Sequence, residues 1–493
     1  MGGRILKIAK RITETAERIT LNAHNGDITF NSAKSVKYSA KKDIVFGEYE
    51  SKEPKLFKSL EFKINIKLVG GKTFVPLGIP LFKGKEENQI IKFEVEVLKS
   101  PIEGIKLEIF HNGKIIRSLD CKEEHAIGKH YFGWNGFDDN GIYDSTVFTT
   151  GKLRAKVTGT LGGKINERKT DEFSFEYKEV NWVDTIIDKN AKRIDITLRV
   201  NLKDGGEQGT EKECYELGKS RNAPIVKICP WDKIPKEAFS FYKKTPIKST
   251  RTKTFEDLKQ LTLDGINKYW SRHKGNIGEG VDIDGELYEV FVNAINEVNS
   301  EISLNDIPLI YNTNNPWSRS GNPGTSTLGD GNKMDELARL LPDGVVQRIS
   351  YNVGYIQYSN WEDLDETHWL YKLEGWQYYN ESDEQKEFKF TSAHEIGHEI
   401  LQSFGGTIYS WQHKGSSYYL PQDTKPLGKE SFKEEYINRD FMEETSGENY
   451  PFSGEIDLMK YYNNSPTRYD YNRVISSEKD VLSLLWLTKI ELK

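Results

Sequence analysis

Cysteine is scarce in this chain of 493 residues. Cys121, Cys214 and Cys229 stand far apart and form no CxxC pair, which argues against a disulfide framework and against a thiolate zinc site. No stretch approaches the roughly 20 apolar residues that a membrane span needs. The basic residues 1–23 lack the apolar run of a signal peptide. We therefore expect synthesis in the cytoplasm and, for an extracellular target, a route other than the general secretory one.

A block of like charge is also lacking. The net charge of -6 is spread along the sequence, so charge gives no reason to expect nucleic acid or membrane partners. A phosphate-binding glycine loop, a Ser-His-Asp order and a catalytic cysteine signature are missing as well. What is present is 12% aromatic and 36% hydrophobic residues, typical of a globular chain. Its length predicts roughly three domains.

Residues 1–58 show a weak repeat of a β-branched, a polar and an apolar or aromatic residue, which predicts short strands. The repeats are Ile19-Thr20-Leu21, Ile28-Thr29-Phe30, Val36-Lys37-Tyr38 and Ile44-Val45-Phe46. So short a sheet needs partners, either the next domain or further copies in a stalk. The segment resembles the β-prism of the valine-glycine-repeat spike proteins of type VI secretion systems. That resemblance implies cargo injected with a spike.

Residues 59–205 alternate apolar and polar side chains in the manner of strands, with Asn112-Gly113 as a hairpin turn. We predict an immunoglobulin-like β-sandwich followed by further strands. The stretch from Gly133 to Gly141, rich in turn formers around Trp134, resembles the tryptophan corner of bacterial immunoglobulin-like modules.

Residues 206–493 differ from the preceding part because their pattern also predicts helices. Helix candidates are 255–272, 333–341, 386–404 and 479–490, and 349–358 is an aromatic-rich strand candidate. They predict an α+β domain. The expected architecture is thus an all-β N-terminal part, made of the β-prism-like repeat and the sandwich, followed by a zincin-like catalytic domain.

The chemistry is expected at His394-Glu395-Ile396-Gly397-His398. Histidines at i and i+4 lie on one face of a helix and can share one metal ion. Neutral imidazoles suit Zn²⁺, and two of them leave room for a third protein ligand and a water. Glu395, next to the first ligand, would be the general base. This HExxH pattern resembles that of zincin metallopeptidases, and Gly397 in mid-helix indicates a packing constraint.

The third ligand has several candidates. Metzincins place a histidine six residues after the second one, where this chain has Phe404. Gluzincins use a glutamate of a later helix within an N-E-x-x-x-D signature. That signature is missing here, although the segment 428–445 and its neighbourhood offer acidic alternatives, namely Glu434, Glu435, Glu443, Glu444 and Asp457.

We favour His413 as the third metal ligand. A helix would carry the chain about 9 Å from His398 to Phe404, and Gly405-Gly406 could reverse its direction. Seven extended residues can then return more than about 20 Å. The segment Glu455–Tyr462 resembles the metzincin turn in which a methionine lies beneath the histidines; it would place Met459 there, with Tyr461 or Tyr462 as an oxyanion stabiliser. Core packing is the alternative role of Met459.

Together these features predict a zinc peptidase toxin delivered by a contractile secretion system, with Zn²⁺ held by His394, His398 and His413. Its expected partners are a peptide or protein substrate, a spike or tube component and an immunity protein. Two alternatives stay open. One is an amidase of cell-wall peptides with the same metal chemistry, and the other is a spike-tip or adhesin protein without enzymatic activity.

Overall fold

Strands dominate the part of the chain that the computed structural model describes, and this part has four α-helices. The described residues are 61–70, 72–81, 87–210, 213, 215–217, 226–228, 250–313, 320, 348–353, 355–356, 376–377, 381–411, 450–460, 462 and 469–493. The described residues between 61 and 208 are almost entirely β, as predicted for the N-terminal part. The spike-like segment 1–58 lies outside the described residues.

The helices are α1 (Ser145–Thr149), α2 (Phe255–Trp270), α3 (Glu381–Trp411) and α4 (Glu478–Leu487), and a short 3-10 helix covers Pro76–Gly78. In chain order the strands are β1 (Lys63–Leu68), β2 (Thr73–Phe74), β3 (Ile91–Leu98), β4 (Gly104–His111), β5 (Lys114–Cys121), β6 (Gly128–Trp134), β7 (Ile142–Asp144), β8 (Leu153–Leu161), β9 (Lys164–Lys169), β10 (Phe175–Tyr177), β11 (Val183–Asp188), β12 (Arg193–Gln208), β13 (Tyr215–Leu217), β14 (Val226–Ile228), β15 (Val281–Ile283), β16 (Glu286–Asn296), β17 (Asp306–Thr313), β18 (Ile349–Val353), β19 (Tyr355–Ile356), β20 (Trp376–Gln377), β21 (Ile456–Asp457), β22 (Val474–Ile475) and β23 (Ile490–Leu492).

Two antiparallel sheets, β1-β3-β6 and β5-β4-β8-β9, share an apolar core in the first described region. Strand β8 alternates buried and partly exposed residues along its whole length, because successive side chains of a strand point to opposite faces. Between β4 and β5, Asn112 and Gly113 both have positive φ, 48° and 83°, which gives the tight turn predicted there. The immunoglobulin-like topology stays a prediction. The shared core comprises Phe62, Ile64, Val95, Val97, Ile102, Ile105, Val157 and Leu161.

A mixed sheet supports the second region. Strand β12 pairs antiparallel with β11 and parallel with both β16 and β17, and β17 continues parallel to β18. Its 16 residues run across positions 205 and 206, where the sequence suggested the boundary between the second and third domains. Residues Glu61–Lys493 form one compact unit. The three-part division of the chain stays a prediction.

Helices α2 and α3 pack against each other on this sheet. Thr254 and Asp257 form a capping box that begins α2. At Gly265 of α2, an added β-carbon would collide with the backbone carbonyl of Lys389, so this glycine permits the close approach of α3. The ring of Phe388 on α3 then contacts Tyr351 of β18, with 5.2 Å between centroids. α3 is thereby held between α2 and the sheet.

Strand β23, which is late in the sequence, pairs with two strands of the first β region. It pairs antiparallel with β10 on one side and with β2 on the other. Lys489, just before it, forms an ion pair of 2.9 Å with Glu87, and Trp486 Nε1 donates to the same carboxylate at 3.3 Å. Residues at the C-terminal end are thus part of the packing of the first β region.

Candidate metal centre

His394 and His398 lie side by side on α3, within the protein. Their side chains are buried, with exposures of 4% and 0%, and their rings are 4.9 Å apart at an interplanar angle of 85°. The two Nε2 atoms are 3.3 Å apart. Two nitrogens bound to one tetrahedral Zn²⁺ at 2.0–2.1 Å would be separated by about 3.3–3.4 Å. The spacing of the two rings therefore fits a shared zinc ion.

The other nitrogen of each ring is tied to a backbone carbonyl. His394 Nδ1 lies 2.8 Å from the carbonyl oxygen of Leu458, and His398 Nδ1 lies 2.9 Å from that of Ser410. Because a carbonyl oxygen only accepts hydrogen bonds, each Nδ1 must carry the proton. In the neutral rings, both Nε2 atoms then present lone pairs at the point where they meet. A cation between them is what this arrangement accommodates.

Ser410 contacts His398 because α3 is bent. Twelve residues of a straight helix span about 18 Å, yet Ser410 Oγ donates to the carbonyl of His398 at 2.6 Å. The chain must turn back between these residues. The sequence predicted a reversal at Gly405-Gly406, whereas the helical assignment continues through both glycines to Trp411.

Met459 lies beneath the helix at Gly397. The sulfur of this fully buried methionine is 2.5 Å from the position that a β-carbon on Gly397 would occupy, and Trp270 Cζ2 is 2.8 Å from it. Trp270 also donates from Nε1 to the carbonyl of Ala393 at 3.1 Å. The glycine predicted to have a packing reason is thus contacted by both side chains. The packing of Met459 against Gly397 is an observation, and the place of Met459 in a metzincin-like turn stays a prediction.

Glu395 and Glu399 are one helical turn apart and equally buried, each 8% exposed. Asn305 Nδ2 donates to Glu399 Oε1 at 3.4 Å. Burial raises the pKa of Glu399 to about 7, because a charged carboxylate is poorly solvated there. Two carboxyl groups with the same exposure thus follow the two histidines along the helix.

Asp457 and Tyr462 are engaged with the backbone of the turn that carries Met459. Asp457 Oδ1 accepts from the amide of Met459 at 2.9 Å, and the hydroxyl of Tyr462 accepts from the amide of Asp457 at 2.9 Å. Lys460 Nζ lies 5.4 Å from the centre of the Tyr462 ring. Asp457 as a metal ligand and Tyr462 as an oxyanion stabiliser stay predictions.

The third ligand stays a prediction. Within the described ranges, no three His, Cys, Asp or Glu side chains converge to hold a metal ion. His413, Glu434, Glu435, Glu443, Glu444 and Tyr461 lie outside the described residues.

Three contacts of the site had little or no signal in the sequence. The carbonyl groups of Leu458 and Ser410 are backbone atoms, which any residue could supply. Trp270 stands near the end of the helix predicted at 255–272 and more than 120 residues before His394.

No family model and no curated protein matches the chain. Among solved structures, it is similar to the β-glucuronidase of Parabacteroides merdae at 9% identity and a TM-score of 0.15. The match covers 70% of this chain and 33% of that one, so the chain spans about a third of that enzyme's length.

No helix in the described portion of the chain is long and apolar enough to cross a membrane.

Proposed function

We propose that the chain is a zinc-dependent peptidase whose metal is held by His394 and His398. The observation that carries this proposal is the 3.3 Å separation of two Nε2 atoms whose rings both donate from Nδ1 to carbonyl groups. A chance pair of surface histidines needs neither burial nor such partners. In established metal sites, outer-shell groups orient the ligating histidines through hydrogen bonds. The two carbonyl groups would orient His394 and His398 in the same manner.

When bound, zinc supplies a Lewis acid that polarises the scissile carbonyl and makes water a nucleophile at neutral pH. Glu395 takes the proton of the attacking water and passes it to the departing amine, as a general base and then a general acid. Its position directly after His394 and its burial support that assignment. Leu458 and Ser410 keep the two rings in the tautomer with the proton on Nδ1 and the lone pair on Nε2.

His413 is our proposed third ligand. It follows Ser410 by three residues, and three residues reach at most about 11 Å. Since the carbonyl of Ser410 touches the ring of His398, a side chain three positions later starts within reach of the same metal. Glu434, Glu435, Glu443, Glu444 and Asp457 are the alternatives to be tested against it.

The decisive experiment combines zinc content with a matched pair of glutamate variants. We expect one zinc ion per chain and hydrolysis of a peptide substrate by the wild type. Glu395→Gln should retain zinc but lose at least about 100-fold in kcat. Glu399→Gln removes an equally buried carboxyl from the next turn and should retain activity within a few-fold. A wild type without zinc affinity, or an active Glu395→Gln variant, would overturn the proposal.

The same preparation identifies the third ligand. His413→Ala should lose zinc, whereas amide variants of the four glutamates and Asp457→Asn should keep it. If His413→Ala keeps zinc and the variant of one acidic residue loses it, that acidic residue is the third ligand.

Delivery by a contractile secretion system is part of the proposal and rests on the resemblance of residues 1–58 to spike proteins. In mixed cultures, cells that make the full chain should kill susceptible neighbours, and cells that make Glu395→Gln should not. Unchanged killing by the variant would favour the spike-tip or adhesin alternative. Cleavage of cell-wall peptide but not of protein would favour the amidase.

A further inference from the structure

The segment Trp270–Arg272 contacts two elements, helix α3, which carries His394, and strand β16. Trp270 donates to the carbonyl of Ala393 on α3 at 3.1 Å, and Ser271 Oγ accepts from the amide of Val292 on β16 at 2.8 Å. The backbone of Arg272 pairs with Val290 of the same strand through bonds of 2.9 and 2.7 Å. This segment is therefore fixed both to the sheet and to the helix that bears the histidines.

The guanidinium of Arg272 extends from this segment to the turn that carries Met459. It is buried, with Arg272 3% exposed, and donates to the carbonyls of Gly280 and Ser476 at 2.8 Å each. Its two terminal nitrogens bond to the two carboxylate oxygens of Glu455 at 2.9 and 2.8 Å. Such bidentate pairs fix the orientation of the carboxylate as well as its distance from the guanidinium.

Glu455 stands immediately before β21, and the chain reaches Leu458 three residues later. The amides of Ile456 and Leu458 donate to the carbonyls of Arg473 and Ile475 at 2.8 and 2.9 Å. The carbonyl of Leu458 then accepts from His394 Nδ1 at 2.8 Å. A continuous set of short contacts thus connects Arg272 with the ring of His394.

We propose that Arg272 is a positioning residue for His394. By holding Glu455, it sets the place of the Leu458 carbonyl, and that carbonyl keeps the His394 proton on Nδ1 and the Nε2 lone pair toward His398. The metal part of this inference rests on the proposed zinc site. The link between Glu455 and the His394 tautomer is a property of the chain without metal.

The test compares two carboxylates with the same exposure. Glu455 and Asp264 are both 40% exposed, and each forms an ion pair of 2.8 Å with a basic residue. Asp264 pairs with Lys389, which connects α2 to α3 without reaching the turn. Glu455→Gln should weaken zinc binding by about 10- to 100-fold, the usual effect of an outer-shell change. Asp264→Asn should change it less than about 3-fold.

Two measurements on the full-length chain separate positioning from general loosening. Competition with a chromogenic chelator gives the zinc affinity, and nitrogen-15 NMR of the metal-free chain gives the tautomer of the His394 ring. We expect Nδ1–H in the wild type and in Asp264→Asn, and a mixture of tautomers in Glu455→Gln. If Glu455→Gln does not fold, Glu455→Asp and Arg272→Lys serve as milder changes, with intermediate effects expected.

A folded Glu455→Gln variant with wild-type zinc affinity and tautomer would overturn this inference and leave the proposed function intact. Equal losses in Asp264→Asn would overturn it as well, since the effect would not depend on the turn. A wild type that binds no zinc would instead overturn the proposed function. The tautomer measurement would still decide whether Glu455 controls the His394 ring.

Discussion

Met459 and Gly397 leave no room between them for a methyl group. The sulfur atom lies 2.5 Å from the position of an added β-carbon, closer than side-chain atoms approach in folded proteins. Alanine in place of a mid-helix glycine normally stabilises a helix by about 1 kcal/mol. Here the added methyl group must instead displace Met459 or Trp270.

We therefore predict that Gly397→Ala lowers the free energy of unfolding by roughly 1–3 kcal/mol, the usual effect of overpacking. Met459→Ala alone should cost about 2–5 kcal/mol through the cavity that it leaves. The double variant should be more stable than the sum of the two changes by at least about 1 kcal/mol, because the smaller side chain makes room. Urea unfolding of the four proteins measures this coupling. Strict additivity would mean that the two residues do not constrain each other.

Removal of metal should destabilise the protein. If zinc binds the folded chain at His394 and His398, free zinc at 100 times the dissociation constant adds about 2.7 kcal/mol to the free energy of unfolding. Thermal unfolding with excess zinc and with a chelator should show this difference for the wild type and none for His398→Asn. A zinc effect of the same size in His398→Asn would place the metal elsewhere.

Glu108 should make the stability of the first β region depend on pH. Its side chain accepts hydrogen bonds from Lys106 at 2.6 Å and pairs with Lys156 at 2.7 Å. Burial raises the pKa of Glu108, but the two lysines more than offset that effect, so the pKa lies below 4.5. A carboxyl group with a lowered pKa stabilises the fold above the unfolded value, and this contribution disappears as the pH falls through the folded value.

Lys156→Met should then lower the free energy of unfolding by about 1.5–3 kcal/mol at pH 7, the usual contribution of a hydrogen bond to a charged group, and have a much smaller effect near pH 3. Lys122→Met is the control, since its ion pair with Asp120 is exposed and 3.9 Å long, and it should change stability by less than about 0.5 kcal/mol. Denaturant unfolding between pH 3 and pH 7 checks both. A loss in Lys156→Met that is independent of pH would assign the effect to packing.

Ile490 tests the role of β23. Its buried side chain stands opposite Phe74 on one neighbouring strand and Tyr177 on the other. Ile490→Ala should lower the free energy of unfolding by about 2–5 kcal/mol, whereas Glu491→Ala on the same strand should change it by about 0.5 kcal/mol. If Ile490→Ala costs no more stability than Glu491→Ala, the side chain of Ile490 does not stabilise the fold, and β23 contributes through its backbone.

Local patterns predicted the local parts of this structure. The helix candidate at 255–272 corresponds to α2, the start of the helix predicted at 479–490 lies within α4, and Asn112-Gly113 forms the turn between β4 and β5. These features depend on the spacing of apolar residues and on turn chemistry within a few positions. The neighbouring rings of His394 and His398 follow from the same helical geometry.

The remaining features depend on contacts between distant positions. No pattern near Ile490 indicates that its strand pairs with residues 73–74 and 175–177. The continuous strand across positions 205 and 206 was missed because Asp204-Gly205-Gly206 has the composition of a loop. In the structure, the register of β12 against β17 shifts between Asp204 and Glu207, so a bulge accommodates these residues. Backbone partners such as the Leu458 carbonyl leave no trace in the side-chain sequence.

The central position of β23 also affects how the chain is made. Strand β10 leaves the ribosome roughly 300 residues before β23, which at about 5–20 residues per second amounts to some 15–60 s. During this time the neighbouring edges of β2 and β10 await their partner, and open strand edges favour pairing with other chains. Both edges stay open on the nascent chain until β23 has been made, and they are therefore places where a chaperone can bind.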